Sequence, residues 1–258
     1  MATLRTGMVW YWDLDDGTAD PILDKVVSQG LDKEGTITTG SANGPGGRDC
    51  IVVGSQAGKY RTEGIARACD YEAGFTANIW IYRTTGTPTS SCIVFCQRDS
   101  TLLTGNEDYF QMAVFANTGT EDHGLVRDAA DTARKAVSSA ETTDVWQMLT
   151  FTDDGTTGTL YRNGSSVGTD TTSLSTFDTG AAAVAIGGIS WAASTANDHF
   201  GRLALAGLWS RVLTGPEITL LYNGGSGRAY SETNVSAYIL QLTEESMCGG
   251  FQTLRGGM

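Results

Sequence analysis

The chain has 258 residues, enough for one large all-β domain or two small ones, and carries 33 glycines against four prolines. Its formal net charge of −12 works against nucleic acid and anionic membranes as partners, and leaves neutral sugars, cations and basic protein surfaces. No stretch approaches the roughly 18 apolar residues that span a bilayer.

The opening "MATLRTGMVWYWDLDD" has one early Arg and a short apolar run that ends in acids. A secretory segment needs roughly 7–15 apolar residues. The expected setting is therefore the cytosol, with exit by lysis or by assembly into a particle. "GMVWYWDL" is a candidate first strand. The stretch from Asp15 to Gly47 is punctuated by Asp and Gly and reads as a long loop.

Strands then follow at short spacing: "RDCIVVG", "FTANIWIYR", "SCIVFCQR", "YFQMAVFA", "VWQMLTFT", "TGTLYRNG", "AVAIGGIS" and "GRLALAGLWSRVL". In "FTANIWIYR", Phe75, Ala77, Ile79 and Ile81 share one face, and Asn78, Trp80 and Tyr82 the other. Bulk on both faces predicts a central strand covered on both sides. Asp154-Gly155 and Asn163-Gly164 are hairpin dipeptides. The charged segment from Asn117 to Asp144 is compatible with a hairpin or a helical turn. Trp10, Trp12, Trp80, Trp146 and Trp209 fall in strands and read as core.

One helix is expected near the end, in "SRVLTGPEITLLYNGGSG". Thr214 as N-cap with Glu217 three residues on forms a capping box. Leu213 against Ile218 forms a hydrophobic staple, and Pro216 fits the first turn. Ile218, Leu221 and Tyr222 share a face, and Gly224 or Gly225 can end the helix. At about two turns it is too short to stand alone, so it must dock on the sandwich.

The five cysteines are an odd number without a CxxC pair. Cys92 and Cys96 are about 13 Å apart along a strand, beyond disulfide reach. Neither they nor His123 and His199 show zinc-ligand spacing, so all five read as reduced and mostly buried.

Taken in order, FT-x-x-x-W-x-Y (Phe75 to Tyr82), W-x-x-x-x-F-x-D-D-G (Trp146 to Gly155), L-Y-x-N-G (Leu160 to Gly164), I-G-G (Ile186 to Gly188), F-G-x-L (Phe200 to Leu203) and the long motif from Leu208 to Gly227 carry a resemblance. The chain resembles the laminin-G-like, concanavalin A-like domains found in many phage and environmental bacterial proteins. The resemblance implies an all-β fold: a two-sheet antiparallel jelly-roll sandwich of about 12–14 strands, with one short C-terminal helix. It covers about Met8 to Gly227. The expected division is a jelly-roll domain over 1–227 and a C-terminal extension over 228–258. Relatives usually carry an acid where this chain has Ala204 and Leu205, which weakens the case for a relative-like calcium site.

The paired-carboxylate pattern E-x-D-x-x-E of the fold's glycoside hydrolases is missing, as are a G-x-S-x-G elbow, a P-loop and a dinucleotide fingerprint. A non-enzyme is expected. Hard oxygen ligands are plentiful, and "DLDDGTAD" makes Asp13, Asp15 and Asp16 the candidate calcium ligands, with Asp20, Asp24, Asp153 and Asp154 as further acids. The alternative is that Asp and Gly here simply make turns. Glycan binding needs exposed aromatics with amides and carboxylates. The candidates are Trp191, Asn197, Asp198 and His199 in one loop, and Asn106, Asp108 and Tyr109 in another.

Beyond Gly227, "VSAYILQL" is strand-like, and Val235, Tyr238, Leu240, Phe251 and Leu254 are candidate assembly residues that could add to a neighbour's sheet. The expected role is a structural or adhesive protein of a phage particle, a head decoration or fibre component. Its partners would be other virion proteins and its own copies, with host glycans as further ligands. The alternative is a carbohydrate-binding module of a bacterial surface or secreted protein, stabilised by calcium.

Overall fold

The computed structural model describes residues 3–54, 58–84, 92–99, 108–114, 121–139, 143–175, 177, 181–188, 199 and 201–234. Sixteen strands and one α-helix lie among them. In chain order the strands are β1 (Met8–Trp12), β2 (Ile22–Leu23), β3 (Gly30–Glu34), β4 (Ile37–Gly40), β5 (Cys50–Val53), β6 (Lys59–Ala66), β7 (Phe75–Arg83) and β8 (Cys92–Asp99). They continue with β9 (Tyr109–Val114), β10 (Glu121–Arg127), β11 (Ala133–Ser139), β12 (Trp146–Asp153), β13 (Gly158–Arg162), β14 (Ser165–Asp170), β15 (Ala181–Ile186) and β16 (Gly201–Trp209).

The strands form two antiparallel eight-stranded sheets. One runs β14-β13-β12-β7-β16-β5-β4, with β1 also on β16, and the other runs β11-β10-β9-β8-β15-β6-β3-β2. This is the two-sheet sandwich expected from the sequence, with more strands than anticipated. The stretch read as a long loop holds β2, β3 and β4. Each is five residues or fewer, too short for alternation to show through the Asp and Gly punctuation. β6 carried no sequence expectation, and the charged segment is the β10–β11 hairpin.

The inner faces meet in an aromatic core. Phe75 packs on Phe110 at 5.2 Å and on Phe151 at 5.8 Å between ring centres, and Phe95 meets Phe110 at 5.4 Å. β7 is central, between β12 and β16. Its Phe75, Ala77, Ile79 and Ile81 face this core. Its Trp80 faces outward into a second cluster with Leu213, Ile218 and Leu221.

That second cluster explains the helix α1 (Gly215–Tyr222). The capping box forms as read: Glu217 N–H donates to Thr214 Oγ1, and Thr214 N–H donates to Glu217 Oε2 at 2.9 Å. Tyr222 stacks flat on Trp80, 5.7 Å apart and 6° from parallel. The stop is Asn223 in left-handed conformation rather than either glycine. Trp146, read as core, is half-buried, and its Nε1–H donates to Asn43 O at 2.7 Å.

Cys50, Cys69, Cys92 and Cys96 are buried free thiols. Residues 228–234 pack back onto the first strand. Tyr11 Oη–H donates to Arg228 O, and Arg5 donates to Tyr230 O at 2.9 Å with its guanidinium over the Tyr230 ring. Gly227, the domain end suggested by sequence, is thus followed by a docked segment.

Candidate functional site

β16 changes partner halfway along one edge. Its first residues pair with β5, Leu203 opposite Ile51, and its last residues pair with β1, Ala206 opposite Trp12. On the other edge the register against β7 slips between Ala204 and Gly207. The slip is a β-bulge, and Leu205 sits in it at φ 49°. Its N–H donates to Asp13 O at 3.1 Å, and its carbonyl accepts from Asn78 Nδ2 at 3.2 Å. Between the end of β1 and the start of β5 the edge therefore opens.

The opening is a cleft of about 810 Å³. Trp12, Leu14 and Leu205 supply its apolar side. Leu23, also lining it, is 52% exposed. Asp13, Asp15, Asp16 and Asp49 supply carboxylates, and Lys25 and Arg48 supply cations. Trp12 is only 1% exposed, and its indole Nε1–H has no hydrogen-bond partner.

Several of these polar groups have named partners. Asp13 Oδ1 accepts the Tyr230 N–H at 2.7 Å. Burial nevertheless raises its carboxyl above the usual range, with the Asp15 charge adding to the rise. Asp16 Oδ1 accepts the Thr18 hydroxyl at 2.6 Å and the Thr18 N–H at 2.8 Å, which lowers its carboxyl. Asp49 Oδ1 accepts the Ala42 N–H at 2.8 Å. Arg48 grips both oxygens of Glu232, at 2.8 and 2.6 Å, so the docked segment 228–234 forms one wall.

The structure thus brings Asp13, Asp15 and Asp16 to one cleft but not to one point. Among the described residues no three His, Cys, Asp or Glu side chains gather as a metal site. The further acids are also committed. Asp20 accepts the Lys33 N–H, Asp24 accepts three backbone N–H groups, and Asp154 holds a turn through Thr156 and Thr157. Asp153 pairs with Arg134 at 2.7 Å in full burial.

Three of the seven glycan candidates lie among the described residues. Trp191, Asn197, Asp198 and Asn106 lie outside the described residues, as do Val235, Tyr238, Leu240, Phe251 and Leu254. His199 is fully buried, and burial pushes its imidazole down to about 3. Asp108 is fully buried against Arg67 at 2.7 Å. Tyr109 lies between the guanidinium groups of Arg98 and Arg127, at 6.0 and 5.4 Å. None of these three lines the cleft. A second cleft of about 640 Å³ runs beside the end of β6, past Arg67, Asp70, Glu72 and Phe177. Leu23, Lys25, Arg48 and Asp49 had no sequence signal, because their neighbourhood exists only once β16 has changed partner.

Residues 54–219 match the model of the concanavalin A-like lectin/glucanases superfamily, in a laminin G-type family. No curated protein matches the chain by sequence. Among solved structures, the binding domain of botulinum neurotoxin serotype C1 superposes with a TM-score of 0.63 at 13% identity, over 86% of this chain and 52% of that one. The serotype D binding domain gives 0.60 at 11% identity, over 84% and 52%. Domain 4 of AbnA, an extracellular arabinanase of Geobacillus stearothermophilus solved with arabinotriose, gives 0.58 at 14% identity, over 82% and 96%. The chain spans about half the length of the neurotoxin structures. At such identities the likeness is one of fold alone, a lectin-like jelly roll. By its match over 54–219, the chain belongs to the concanavalin A-like lectin/glucanases superfamily.

Proposed function

We propose that the chain is a non-catalytic, lectin-like module that binds carbohydrate in the cleft between β1 and β5. The observation that supports this reading most is the cleft's composition. An apolar side of Trp12, Leu14, Leu23 and Leu205 lies beside a rim of carboxylates, the mixture that a sugar's C–H face and hydroxyls require. The arabinotriose-bound domain supports a sugar ligand by likeness of fold only.

A glycan array followed by titration of the best hits is the test. Asp15→Ala is expected to weaken binding roughly threefold to tenfold, as the loss of one or two charge-assisted hydrogen bonds would. Its melting temperature should not move, because the side chain is exposed. An array without hits, or hits that ignore Asp15, would overturn the reading. The same oligosaccharides should be recovered uncut after prolonged incubation.

The second reading places this module on a phage particle. The docking of residues 228–234 beside the cleft is what favours it, since it holds the point where the C-terminal extension begins. Removing 235–258 should then release the protein from particles, scored by mass spectrometry of purified virions. Retention of the shortened chain would argue against assembly through that segment.

A further inference from the structure

The cleft's charges are unevenly balanced. Asp13, Asp15, Asp16 and Asp49 line it, against Lys25 and Arg48. Arg48 is already neutralised by both oxygens of Glu232. Four carboxylates therefore share the cleft with Lys25 and an Arg48 already paired to Glu232, in a molecule whose formal net charge is −12. A concave, partly apolar wall focuses such a field. At the half-buried Asp13, burial first and the neighbouring Asp15 charge after it oppose ionisation, while the Tyr230 N–H, Lys25 and Arg48 favour it. A cation in the cleft would relieve the Asp15 repulsion and offer donors to the rim. Trp12, Leu14, Leu205 and Leu23 give the same cleft an apolar side next to its carboxylates.

We propose that the cleft selects glycans bearing free amines, un-acetylated amino sugars, over N-acetylated, neutral and acidic ones. This rests on reading the cleft as a sugar site and names the class of sugar it takes. A ring ammonium brings three N–H donors to the carboxylate rim. The ring's C–H face lies against Leu14, Leu23 and Leu205. Acetylation removes the charge and adds bulk. A uronic or sialic carboxylate would meet four like charges.

The test is calorimetric titration of the full chain with four probes at mildly acidic pH: a β-1,4-linked glucosamine oligomer, its N-acetylated form, a uronic acid oligomer and oligolysine. The glucosamine oligomer should bind about tenfold tighter than its acetylated form, with the preference shrinking as salt rises. Asp15→Asn/Asp16→Asn/Asp49→Asn keeps one acceptor oxygen at each position and removes three charges, so it should abolish the preference while the protein stays folded. The control Glu63→Gln/Glu72→Gln/Asp131→Asn removes as much charge from exposed positions outside the cleft and should change nothing. Equal binding of the amine and acetylated oligomers would overturn the selectivity and leave sugar binding standing. No binding of any sugar would overturn both. Equal losses in the control variant, or oligolysine binding tighter than glucosamine, would show a general attraction for cations or a basic peptide partner, and would overturn the proposal.

Discussion

Asp153 has no contact with water, and its charge is met by Arg134, which also donates to Thr172 O and Gly155 O at 2.9 Å each. Desolvation raises the Asp153 carboxyl despite these bonds. Such a pair adds little over a well-packed apolar pair, but breaking one side is costly. Arg134→Met should therefore cost roughly 3–5 kcal/mol in denaturant unfolding. Adding Asp153→Asn, which keeps the oxygen accepting from Gly155 and drops the charge, should restore part of the loss. A single variant within 1 kcal/mol of the parent, on the order of a surface pair, would refute the account.

The two histidines give the molecule an acid-side weakness. Burial pushes His123 and His199 down to about 3 from an ordinary 6.5, with Lys135 and Arg83 as lesser contributions. Between those values the unfolded chain binds a proton at each site and the folded chain does not. Stability is therefore full above about 6.5 and falls as the pH drops, by roughly 1.4 kcal/mol per pH unit per histidine. Asp13, Asp122 and Asp153 are shifted up, so they act oppositely, losing stability as pH rises through the carboxylate range. The upper part of the window isolates the imidazoles. His123→Gln/His199→Gln should flatten the dependence of the urea midpoint there, and an unchanged slope would show that other groups set it.

At the level of elements, what was legible was what is local. The cap, the staple and the apolar face of α1 all lie within a dozen residues, and each is present in the structure. Thr214→Ala should accordingly cost about 1 kcal/mol. The helix stop was misread because Asn223 adopts the left-handed conformation that the following glycines advertise more loudly. The cleft was legible only in its Asp13, Asp15 and Asp16 part. Arg48 and Glu232 are 184 residues apart, and nothing in either neighbourhood announces the other. Close approach of sheet edges is equally silent in sequence. Gly168 of β14 lies so near β11 that a Cβ there would run into the Val137 carbonyl. Gly168→Ala should cost roughly 2–3 kcal/mol by forcing the two edges apart. A neutral result in thermal unfolding would mean that the edges can part freely.

For the whole molecule, the question is where the folded unit stops. The motif ending at Gly227 suggests that point, yet the next seven residues reach across to both ends of the sandwich's first strand. Arg228 O accepts from Tyr11, the Tyr230 N–H donates to Asp13, Thr233 is fully buried and accepts from Arg5, and Glu232 holds Arg48. The Arg48–Glu232 pair is partly exposed and worth little alone. The burial of Thr233 and of the Tyr230 ring against Tyr11 carries more. Cutting after Gly227 should therefore remove roughly 2–3 kcal/mol, and lower the melting temperature of a chain this size by about 5–10 °C. Cutting after Asn234 keeps all of these contacts and should leave the melting temperature close to that of the full chain. The shorter form should also lose affinity in the cleft, since Ala229 and the partner of Arg48 go with it. If the two truncations melt together, the segment is a passenger on the sandwich, and the wall it forms is not needed to hold the cleft open.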